Sequence, residues 1–310
     1  CARWQRLCHV VLEETVRRIQ EYAPELLGIS VVTRRLFGMN EIARRVRAHL
    51  PGVTIVAGGP HINYLPRESM ELGVLDFALP GFGETKFPLL VEALAAGGTP
   101  ERLATVPDLY YRVEGEIRAN PPDDKPLVLD DLPFPNRSLI DLNVYFTVAD
   151  KARMTTMYSS RGCPFRCVYC DVQEKRFHYR SARKIVDEFA YLVSLGIDEI
   201  HIFDDTFNIN RQRVLDMCHE ILERGLRVRW NARVRVHPFD REMLALMKRA
   251  GCQRLHVGVE SLDPAILEYM QKQITLAQIH EFFACCNEVG IDTLAYFILG
   301  FPQETEEYRR

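Results

Sequence analysis

Short apolar runs alternate with amphipathic stretches over the first third of the chain. The runs at 26–32, 53–59 and 74–84 have the length and composition of buried strands, and the stretches at 39–50 and 85–98 have helical periodicity. Strands separated by helices predict βαβ units with right-handed connections and a parallel, doubly wound sheet. The pattern therefore predicts an α/β domain at the start of the chain.

The same alternation returns in the second half with longer helices. Five strand patterns follow one another there, near 154–159, 198–203, 227–234, 254–260 and 292–299. Helix ends are marked by Asp263 before Pro264, by the capping box of Thr275 and Gln278, and by Gly290. Five consecutive β–α units predict a full or partial (β/α) barrel.

The strands of the second half carry polar residues at every second position, although parallel strands buried on both faces usually read as continuous apolar runs. One such strand places four polar residues on one face, namely Arg229, Asn231, Arg233 and Arg235. The strand near 198–203 places His201, Phe203 and Asp205 on one face. The strand near 254–260 places His256, Gly258 and Glu260 on one face. A sealed core would not tolerate these charges unpaired, so we predict a hydrated, ligand-holding lumen.

The alternation is interrupted between the two halves. Residues 99–150 contain a hairpin pattern that turns at 114–115, followed by a segment rich in proline and aspartate. We interpret this stretch as a linker between a doubly wound domain in 1–98 and a barrel in 151–310. Because a helical pattern opens the chain without a preceding strand and another begins within 302–310, we expect both domains to be truncated.

Composition narrows the class of protein. Hydrophobic residues make up 47% of the chain, charged residues 26%, and the formal net charge is −3, so nothing favours a nucleic-acid partner. No apolar run approaches the roughly 20 residues of a transmembrane helix, and no signal peptide opens the chain. With nine cysteines, an odd number, and no secretory signal, we predict free thiols in a reducing cytoplasm.

Three of the cysteines, Cys163, Cys167 and Cys170, have the spacing C-x3-C-x2-C directly after the strand pattern at 154–159. Barrels place their active sites at this end of a strand, and thiolate sulfur suits zinc or iron–sulfur clusters. Structural zinc takes four protein ligands, and His178 is the nearest further candidate in sequence. A four-iron cluster held by three cysteines leaves one iron open, and we favour it over the two alternatives, zinc and unliganded thiols.

This spacing, with the aromatic Tyr169 before the last cysteine and a barrel after it, resembles the radical S-adenosylmethionine (SAM) superfamily. The resemblance implies a [4Fe–4S] cluster on Cys163, Cys167 and Cys170, whose open iron binds SAM. It implies cleavage of SAM to methionine and a 5′-deoxyadenosyl radical, which takes hydrogen from a substrate. It also implies SAM contacts at later strand ends, from Asp205 of the segment 203–210, Arg233, Glu260, Ser261, and Gly300 of the motif at 297–305.

Simpler interpretations of several residues stay open beside this one. Asp204 and Asp205 could cap the helix that follows them. Arg233 and Glu260 could form a structural ion pair in the lumen. Four cysteines in helical or helix-end patterns are predicted to be core residues, namely Cys218, Cys252, Cys285 and Cys286.

Glycine-rich segments follow the strands of the first half, where a doubly wound sheet binds cofactors. Ahead of such a barrel they resemble the flavodoxin-like (Rossmann-like) cobalamin (B12)-binding domain of one branch of the superfamily. The resemblance implies cobalamin contacts from three segments, namely Ser30 and Val32; Gly58, Gly59, Pro60 and His61; and Gly81, Gly83 and Glu84. It implies a loop role for His61 rather than axial ligation of the cobalt.

Together the two resemblances imply a cobalamin-dependent radical SAM enzyme that transfers a methyl group to an unactivated carbon. One alternative is a B12-binding radical SAM cyclase or oxidoreductase without net methylation. Another is a non-enzymatic iron–sulfur redox sensor. The implied partners are a small-molecule, lipid or natural-product substrate and an external electron donor of the flavodoxin or ferredoxin type.

Overall fold

The computed structural model describes residues 2–123, 125–147, 151–172 and 174–304. The chain forms two compact units that divide between residues 125 and 126. None of the described helices is both long and apolar enough to cross a membrane. The helix predicted to begin within 302–310, and the last residue of the motif at 297–305, lie outside the described residues.

The first unit is a single sheet covered by helices. Its helices are α1 Ala2–Tyr22, α2 Leu36–His49, α3 Pro60–Tyr64, α4 Pro66–Glu71, α5 Gly83–Ala95 and α6 Pro100–Leu103, with a 3₁₀ turn at Thr33–Arg35. Its strands are β1 Leu26–Ser30, β2 Thr54–Gly58, β3 Phe77–Ala78, β4 Tyr110–Val113 and β5 Glu116–Ala119. The sheet order is β1-β2-β3-β4-β5, with β1, β2 and β3 parallel.

Alternate residues of β2 enter two separate hydrophobic clusters. Ile55 and Ala57 pack with Ala43 and Val46 of α2, whereas Val56 packs with Leu90 of α5 on the opposite face. Both faces of the sheet are therefore covered, as the continuous apolar run at 53–59 requires. The doubly wound α/β architecture predicted for this part of the chain is confirmed.

The hairpin inside the predicted linker extends the first sheet. Strand β4 pairs antiparallel with β3, and β5 pairs antiparallel with β4 around a turn at Glu114 and Gly115. Tyr111 is buried against the cluster on the α5 face, which gives the hairpin an apolar anchor on the sheet. The division at residues 125 and 126 thus differs from the predicted boundaries of the linker at 99–150, because the hairpin packs with the first sheet.

The third predicted strand is shorter than its sequence pattern. The apolar run at 74–84 forms only the two-residue strand β3, and Gly83 already begins α5. Leu75 and Leu79, on either side of β3, are buried without belonging to it. The run is apolar because it is buried rather than because all of it is extended.

The second unit contains five parallel strands and the helices that connect them. Its helices are α7 Ala182–Ser194, α8 Arg211–Glu223, α9 Arg241–Arg249, α10 Pro264–Tyr269 and α11 Leu276–Val289, with 3₁₀ turns at Leu129–Asp131, Arg137–Leu139, Leu142–Val144 and Phe207–Ile209. Its strands are β6 Met154–Met157, β7 Ser160–Arg161, β8 His178–Tyr179, β9 Glu199–Ile202, β10 Arg229–Arg235, β11 Cys252–Glu260 and β12 Asp292–Phe297. The main sheet has the order β12-β11-β10-β9-β6.

This sheet is the partial (β/α) barrel that the second half of the sequence predicts. All four strand pairs of the sheet are parallel, so the carboxyl ends of its strands lie at one edge. A separate two-stranded antiparallel ribbon joins β7 to β8. Asp263 caps α10, Thr275 and Gln278 form a capping box on α11, and Gly290 ends α11 in a left-handed conformation, as predicted.

The two faces of β10 have opposite character. Trp230, Ala232 and Val234 are buried in the main hydrophobic cluster of the unit, among residues of α7, α8 and α9. Asn231 and Arg233 line a small cavity on the other face. The alternation of polar and apolar residues therefore marks the side of the sheet that faces away from the helices, and the prediction of a polar lumen is confirmed.

Candidate functional site

The three motif cysteines lie in the loop between β7 and β8. Gly162 has φ +82°, and a Cβ there would lie 2.1 Å from the carbonyl oxygen of Arg176, so only glycine fits this turn. The Cys163 amide donates to the carbonyl of Glu174 (3.0 Å), and the Cys170 amide donates to the carbonyl of Cys167 (3.1 Å). These bonds fold the loop into a compact turn at the carboxyl edge of the sheet.

All three thiols line one cavity of about 360 Å³. Its further lining residues come from the loop, from four strands or the segments directly after them, and from the segment after α10, namely Phe165, Tyr169, Val172, Asp205, Thr206, Arg233, Val234, Arg235, His256, Gly258, Glu260, Lys272 and Tyr296. The structure therefore brings together seven of the predicted site residues, namely the three cysteines with Tyr169, Asp205, Arg233 and Glu260. Cys163 and Cys167 are buried and Cys170 is exposed.

A buried carboxylate connects the strand before the cysteine loop to β9. Asp204 accepts hydrogen bonds from the amides of Ser159 (2.7 Å) and Ser160 (3.0 Å) and from both serine hydroxyls (2.5 and 2.6 Å). Arg213 of α8, also buried, lies 3.8 Å from the same carboxylate. Asp204 thus has a structural role, and α8 is capped by Asn210 rather than by either aspartate. The capping interpretation of Asp204 and Asp205 was wrong for this helix.

Asp205 faces the other way, into the cavity with the cysteines. Its carboxylate accepts a hydrogen bond from the amide of Gly162 (3.0 Å), the residue directly before Cys163. Thr206, the next residue, places its hydroxyl oxygen 3.5 Å from the Cys163 sulfur. The two residues after Asp204 therefore contact the first part of the cysteine loop.

Glu260 and Arg233 do not pair with each other. Lys272 Nζ donates to Glu260 Oε1 (2.9 Å) and to the Tyr169 hydroxyl (2.9 Å), and Lys272 and Glu260 are both buried. The Arg233 guanidinium lies over the Phe203 ring, 3.3 Å from its centroid. The alternative of an Arg233–Glu260 ion pair was therefore wrong, because Lys272 occupies the position of the cation.

The backbone of Glu260 and the environment of Tyr169 are unusual in the same region. Glu260 has φ +71°, a conformation that non-glycine residues rarely adopt and that occurs often at functional sites. Burial raises the pKa of the Tyr169 hydroxyl above its usual range, and the Glu260 carboxylate adds to the rise. Tyr169 is therefore a neutral hydrogen-bonding group beside the Lys272–Glu260 pair at physiological pH.

Two cationic residues that line the cavity, Lys272 and Arg235, were not predicted as site residues from the sequence. Lys272 follows α10 in a stretch that looks like an ordinary helix-to-helix connection, so no local pattern marks it. Arg235 was placed on the lumen face, but nothing in the sequence showed its contact with Cys167. Arg235 Nη1 donates to the Cys167 sulfur at 3.4 Å.

The remaining predicted SAM contacts lie at the ends of β11 and β12. Ser261 directly follows Glu260, and its hydroxyl oxygen accepts a hydrogen bond from the amide of Asp263 (3.0 Å). Gly300 has φ +89°, and its amide donates to a carboxylate oxygen of Glu304 (2.7 Å). Neither residue is among those that line the cysteine cavity.

A second, smaller cavity of about 90 Å³ lies on the same polar face and shares Arg233, His256 and Tyr296 with the first. Behind it, Glu199 accepts a hydrogen bond from Asn231 Nδ2 (2.7 Å) and lies 2.8 Å from His201 Nε2. Burial lowers the pKa of His256, which keeps its imidazole neutral near pH 7. The lumen is thus lined by hydrogen-bonding groups that include both acidic and basic side chains.

The donor set of the cysteine cavity fits an iron–sulfur cluster held by three thiolates. Thiolate sulfur is the ligand that such clusters take, and the Arg235 guanidinium beside the Cys167 sulfur would offset negative charge there. His178 is not among the residues that line the cavity, and its Nδ1 lies 3.0 Å from the carbonyl oxygen of Leu127. Among the described residues, no group of three or more cysteine, histidine or carboxylate side chains is already arranged to hold a single metal ion.

The other cysteines of the second unit are core residues, as predicted. Cys218, Cys252, Cys285 and Cys286 are all buried in the main hydrophobic cluster. Burial raises the pKa of the Cys218 and Cys286 thiols to about 12 each. The Cys218 and Cys286 thiols are therefore protonated at physiological pH and unsuited to metal binding.

The glycine-rich segments of the first unit meet at the carboxyl edge of its sheet. Ser30 pairs with Gly58 at the ends of β1 and β2, and the His61 amide donates to the carbonyl of Val31 (2.9 Å). A Cβ at Gly59 would lie 2.7 Å from Ser30 Oγ. The first two predicted segments are thus packed against each other, with Val32 and Pro60 directly beside these contacts.

His61 is buried in this edge rather than presented on it. Its Nδ1 lies 3.1 Å from the hydroxyl oxygen of Thr33, and its side chain is 3% exposed. His61 lies in the first turn of α3 rather than in a loop, so the predicted loop placement was wrong, while the prediction that it does not ligate the cobalt stays a prediction. Ser30 and Pro60, at the same edge, are exposed.

The third glycine segment is joined to the second through α3. The Gly81 amide donates to Asn63 Oδ1 (2.8 Å), and Gly81 has φ +86°. Gly83 and Glu84 form the exposed first turn of α5, where the helix dipole favours negative charge or an acceptor group. All three predicted cobalamin segments therefore lie at one edge of one sheet.

Sequence models of two families match the chain. The model of the radical SAM superfamily matches residues 157–310, and the model of the B12 binding domain matches residues 5–91. The first match includes the cysteine cavity, and the second includes the edge formed by the glycine segments.

Curated relatives match almost the whole chain. An uncharacterized methyltransferase of Pyrococcus horikoshii is 32% identical over 305 residues, which cover 96% of this chain and 65% of the relative. The anaerobic magnesium-protoporphyrin IX monomethyl ester cyclase of Cereibacter sphaeroides is 27% identical, over 96% of this chain and 50% of the relative. The chain thus spans between half and two thirds of the length of these relatives.

Solved structures share the fold. The radical SAM methyltransferase TsrM from Kitasatospora setae, with tryptophan and a SAM analogue bound, superposes with a TM-score of 0.77 at 23% identity. The match covers 96% of this chain and 61% of TsrM. The cobalamin-dependent radical SAM enzyme OxsB superposes with a TM-score of 0.77 at 20% identity, over 93% of this chain and 42% of OxsB.

Proposed function

The chain belongs to the radical SAM superfamily and carries a B12-binding domain ahead of its radical SAM domain, and we propose that it is a cobalamin-dependent methyltransferase acting on an unactivated carbon. The observation that carries this proposal is the cavity in which three cysteines meet the charged strand ends of a partial barrel. The presence of both domains in one chain adds cobalamin to the cofactors.

In this proposal Cys163, Cys167 and Cys170 hold a [4Fe–4S] cluster with one iron open to SAM. When bound, the cluster and SAM supply a 5′-deoxyadenosyl radical, and cobalamin supplies a methyl group. The chain's own residues bind these groups, orient them and keep water from them. The backbone hydrogen bonds of Cys163 and Cys170 hold the cysteine loop in one conformation, which positions the ligands of the cluster.

The charged residues of the cavity match the zwitterionic end of SAM. Lys272 would bind its carboxylate, while Asp205 and Glu260, which line the same cavity, would bind its ammonium group. Arg233 supplies a further positive charge on the same wall. Because Lys272 and Glu260 already form a pair, SAM would exchange one set of buried ion pairs for another, which limits the cost of its desolvation. We assign Ser261 and Gly300, at the ends of the last two strands, to the ribose and adenine side.

In the first domain we assign cobalamin to the edge where Ser30, Gly58 and Gly81 meet. Val32, Gly59, Pro60, His61, Gly83 and Glu84 complete the proposed contacts. The exposed part of this edge includes the short side chain of Ser30 and the glycines Gly81 and Gly83, which let the amide side chains of a corrinoid approach the backbone closely.

Replacement of Gly59 by alanine is expected to destabilise the first domain by about 1–3 kcal/mol and to weaken cobalamin binding at least tenfold. Gly59 has φ +93° and ψ −178°, which is essentially a glycine conformation, and the new Cβ would press on Ser30 Oγ. Cobalamin affinity is measured by absorbance titration, and stability by thermal unfolding.

Gly28→Ala is the matched control for this change. Gly28 lies in β1, and a Cβ there would meet nothing within 4 Å. We expect this variant to bind cobalamin as the unaltered protein does. Equal cobalamin affinity in the Gly59 and Gly28 variants would contradict the assignment of the edge as the cobalamin site.

The wider context of the activity is also a proposal. We propose a small-molecule, lipid or natural-product substrate, an external electron donor of the flavodoxin or ferredoxin type, and a cytoplasmic location. The hydrogen-bonding lumen around His201, Asn231 and His256 would receive polar groups of such a substrate.

Ring closure or oxidation without methylation is the second candidate reaction. It is favoured by the match to the cyclase of Cereibacter sphaeroides, which covers 96% of this chain. The two reactions differ in their products, because only methyl transfer carries label from the methyl group of SAM into the substrate.

The radical SAM assignment is tested by anaerobic incubation of the reconstituted protein with SAM and dithionite. We expect 5′-deoxyadenosine and methionine in equal amounts, detected by chromatography. Cluster absorption without any cleavage of SAM would instead support the alternative of an iron–sulfur redox sensor.

A further inference from the structure

Arg235 is held rigidly beside one of the cysteines. Its amide donates to Asn208 Oδ1 (3.0 Å), and its carbonyl accepts from Asn208 Nδ2 (3.0 Å), so both backbone groups are fixed by one buried side chain. Its guanidinium lies 3.8 Å from the centroid of the Phe165 ring. Nη1 donates to the Cys167 sulfur at 3.4 Å, and Nη2 donates to the carbonyl oxygen of Lys272.

The charge of Arg235 is buried without a carboxylate to balance it. The residue is 5% exposed, and its Nε has no hydrogen-bond partner among the described residues. Within the described residues, no carboxylate forms an ion pair with Arg235, whereas Lys272 is paired with Glu260 and Arg213 is paired with Asp204. A buried guanidinium is always charged and costly unless an anion compensates it. The group that it contacts, the Cys167 sulfur, becomes anionic as a metal ligand.

We propose that Arg235 is a positioning residue for the cluster that raises the reduction potential of the cluster through its contact with Cys167. This inference rests on the proposed cluster at Cys163, Cys167 and Cys170. Reduction adds one negative charge, and a fixed buried cation next to a ligand sulfur stabilises the reduced form more than the oxidised form. A hydrogen bond to that sulfur acts in the same direction.

The neighbouring cations do not duplicate this contact. Arg233, two residues earlier on the same face of β10, lies over Phe203, and Lys272 donates to Glu260 and Tyr169. Arginine also differs from lysine here because its planar fork donates to the sulfur and to a carbonyl oxygen at once while it stacks on a ring. Arg235 is therefore the cation whose removal should change the cluster most directly.

Arg235→Met removes the charge and keeps much of the length of the side chain. At a fixed solution potential, we expect the ratio of reduced to oxidised clusters in this variant to be at least tenfold lower than in the unaltered protein. For a one-electron couple this corresponds to a midpoint potential that is at least about 59 mV more negative. The midpoint is measured by redox titration followed by electron paramagnetic resonance, without substrate, and iron content is measured on the same samples.

Arg229→Met is the matched control, because Arg229 starts the same strand about 20 Å away at 3.3 Å per residue. We expect its midpoint potential to equal that of the unaltered protein. Arg235→Lys keeps the charge without the fork, and we expect its potential to lie between those of the unaltered protein and Arg235→Met.

Several outcomes would overturn the proposal. A cluster of full iron content with an unchanged potential in Arg235→Met would do so. If Arg235→Met retains no iron, the decision rests on Arg235→Lys: equal loss of iron there would show that the shape of the side chain matters and its charge does not. Absence of a cluster from the unaltered protein would instead refute the proposed function, which keeps the two failures distinct.

Discussion

Replacement of Cys167 by alanine is expected to lower 5′-deoxyadenosine formation by about 10³-fold or more, to the level of the assay background. The three cysteines hold the cluster as a unit, and removal of one member of such a unit costs nearly as much as removal of all. Cys167 is also the thiol that Arg235 contacts, so its loss leaves that buried guanidinium without its sulfur partner. The measurement is the chromatographic yield of 5′-deoxyadenosine under anaerobic reduction, with iron content as a second readout.

Cys285→Ala provides the matched control for this prediction. Cys285 is buried in the hydrophobic cluster of the second unit and is not among the residues that line the cysteine cavity. We expect a modest loss of stability, about 1 kcal/mol, with unchanged iron content and 5′-deoxyadenosine yield. Equal yields from the Cys167 and Cys285 variants would refute the assignment of the cluster to the C-x3-C-x2-C motif.

The features that the sequence predicted well depend on local periodicity. The alternation of Arg229, Asn231 and Arg233 with Trp230 and Ala232 can be satisfied only if one face of the strand packs on helices and the other does not. Capping residues such as Thr275 act within one turn, so they also mark their helix end without knowledge of the fold. Both kinds of signal survive folding because they are properties of short segments.

The features that were missed depend on contacts between distant segments. Lys272 reaches Tyr169, 103 residues away, and Arg235 reaches Cys167, 68 residues away. A sequence gives the charge of Lys272 but not the carboxylate that it meets, so an Arg233–Glu260 pair stayed open as an alternative. The place of the hairpin within residues 99–150 depends on a contact of the same kind, because its pairing with β3 is tertiary and no local pattern shows it.

Two neighbouring aspartates have different roles beside the cysteine loop. Asp204 is buried, is paired with Arg213 and accepts hydrogen bonds from the serines that precede the loop, whereas Asp205, the next residue, is exposed on the cavity side. This division places structural charge behind the loop and leaves a second carboxylate beside it for a ligand. The consequence is that changes at Asp204 should act on folding first and on the cluster only through the loop.

Asp204→Asn is accordingly expected to lower the free energy of unfolding by about 3–5 kcal/mol, because it breaks a buried ion pair and leaves the Arg213 charge uncompensated. The amide can accept only at its oxygen, so it also loses some of the four hydrogen bonds from Ser159 and Ser160. Urea unfolding with linear extrapolation measures the change. Because these serines precede the cysteine loop, we also expect lower iron retention at equal protein concentration.

Asp216→Asn tests whether the effect of Asp204 comes from its burial. Asp216 is exposed on α8, three residues after Arg213, and accepts one hydrogen bond from Gln212 (2.7 Å). A surface substitution of this kind changes stability by about 0.5 kcal/mol or less. If the Asp204 variant unfolded at the same urea concentration as the Asp216 variant, the buried network could not be what orders the start of the cysteine loop. That loop would then owe its order to the bonds of Gly162, Cys163 and Cys170 alone.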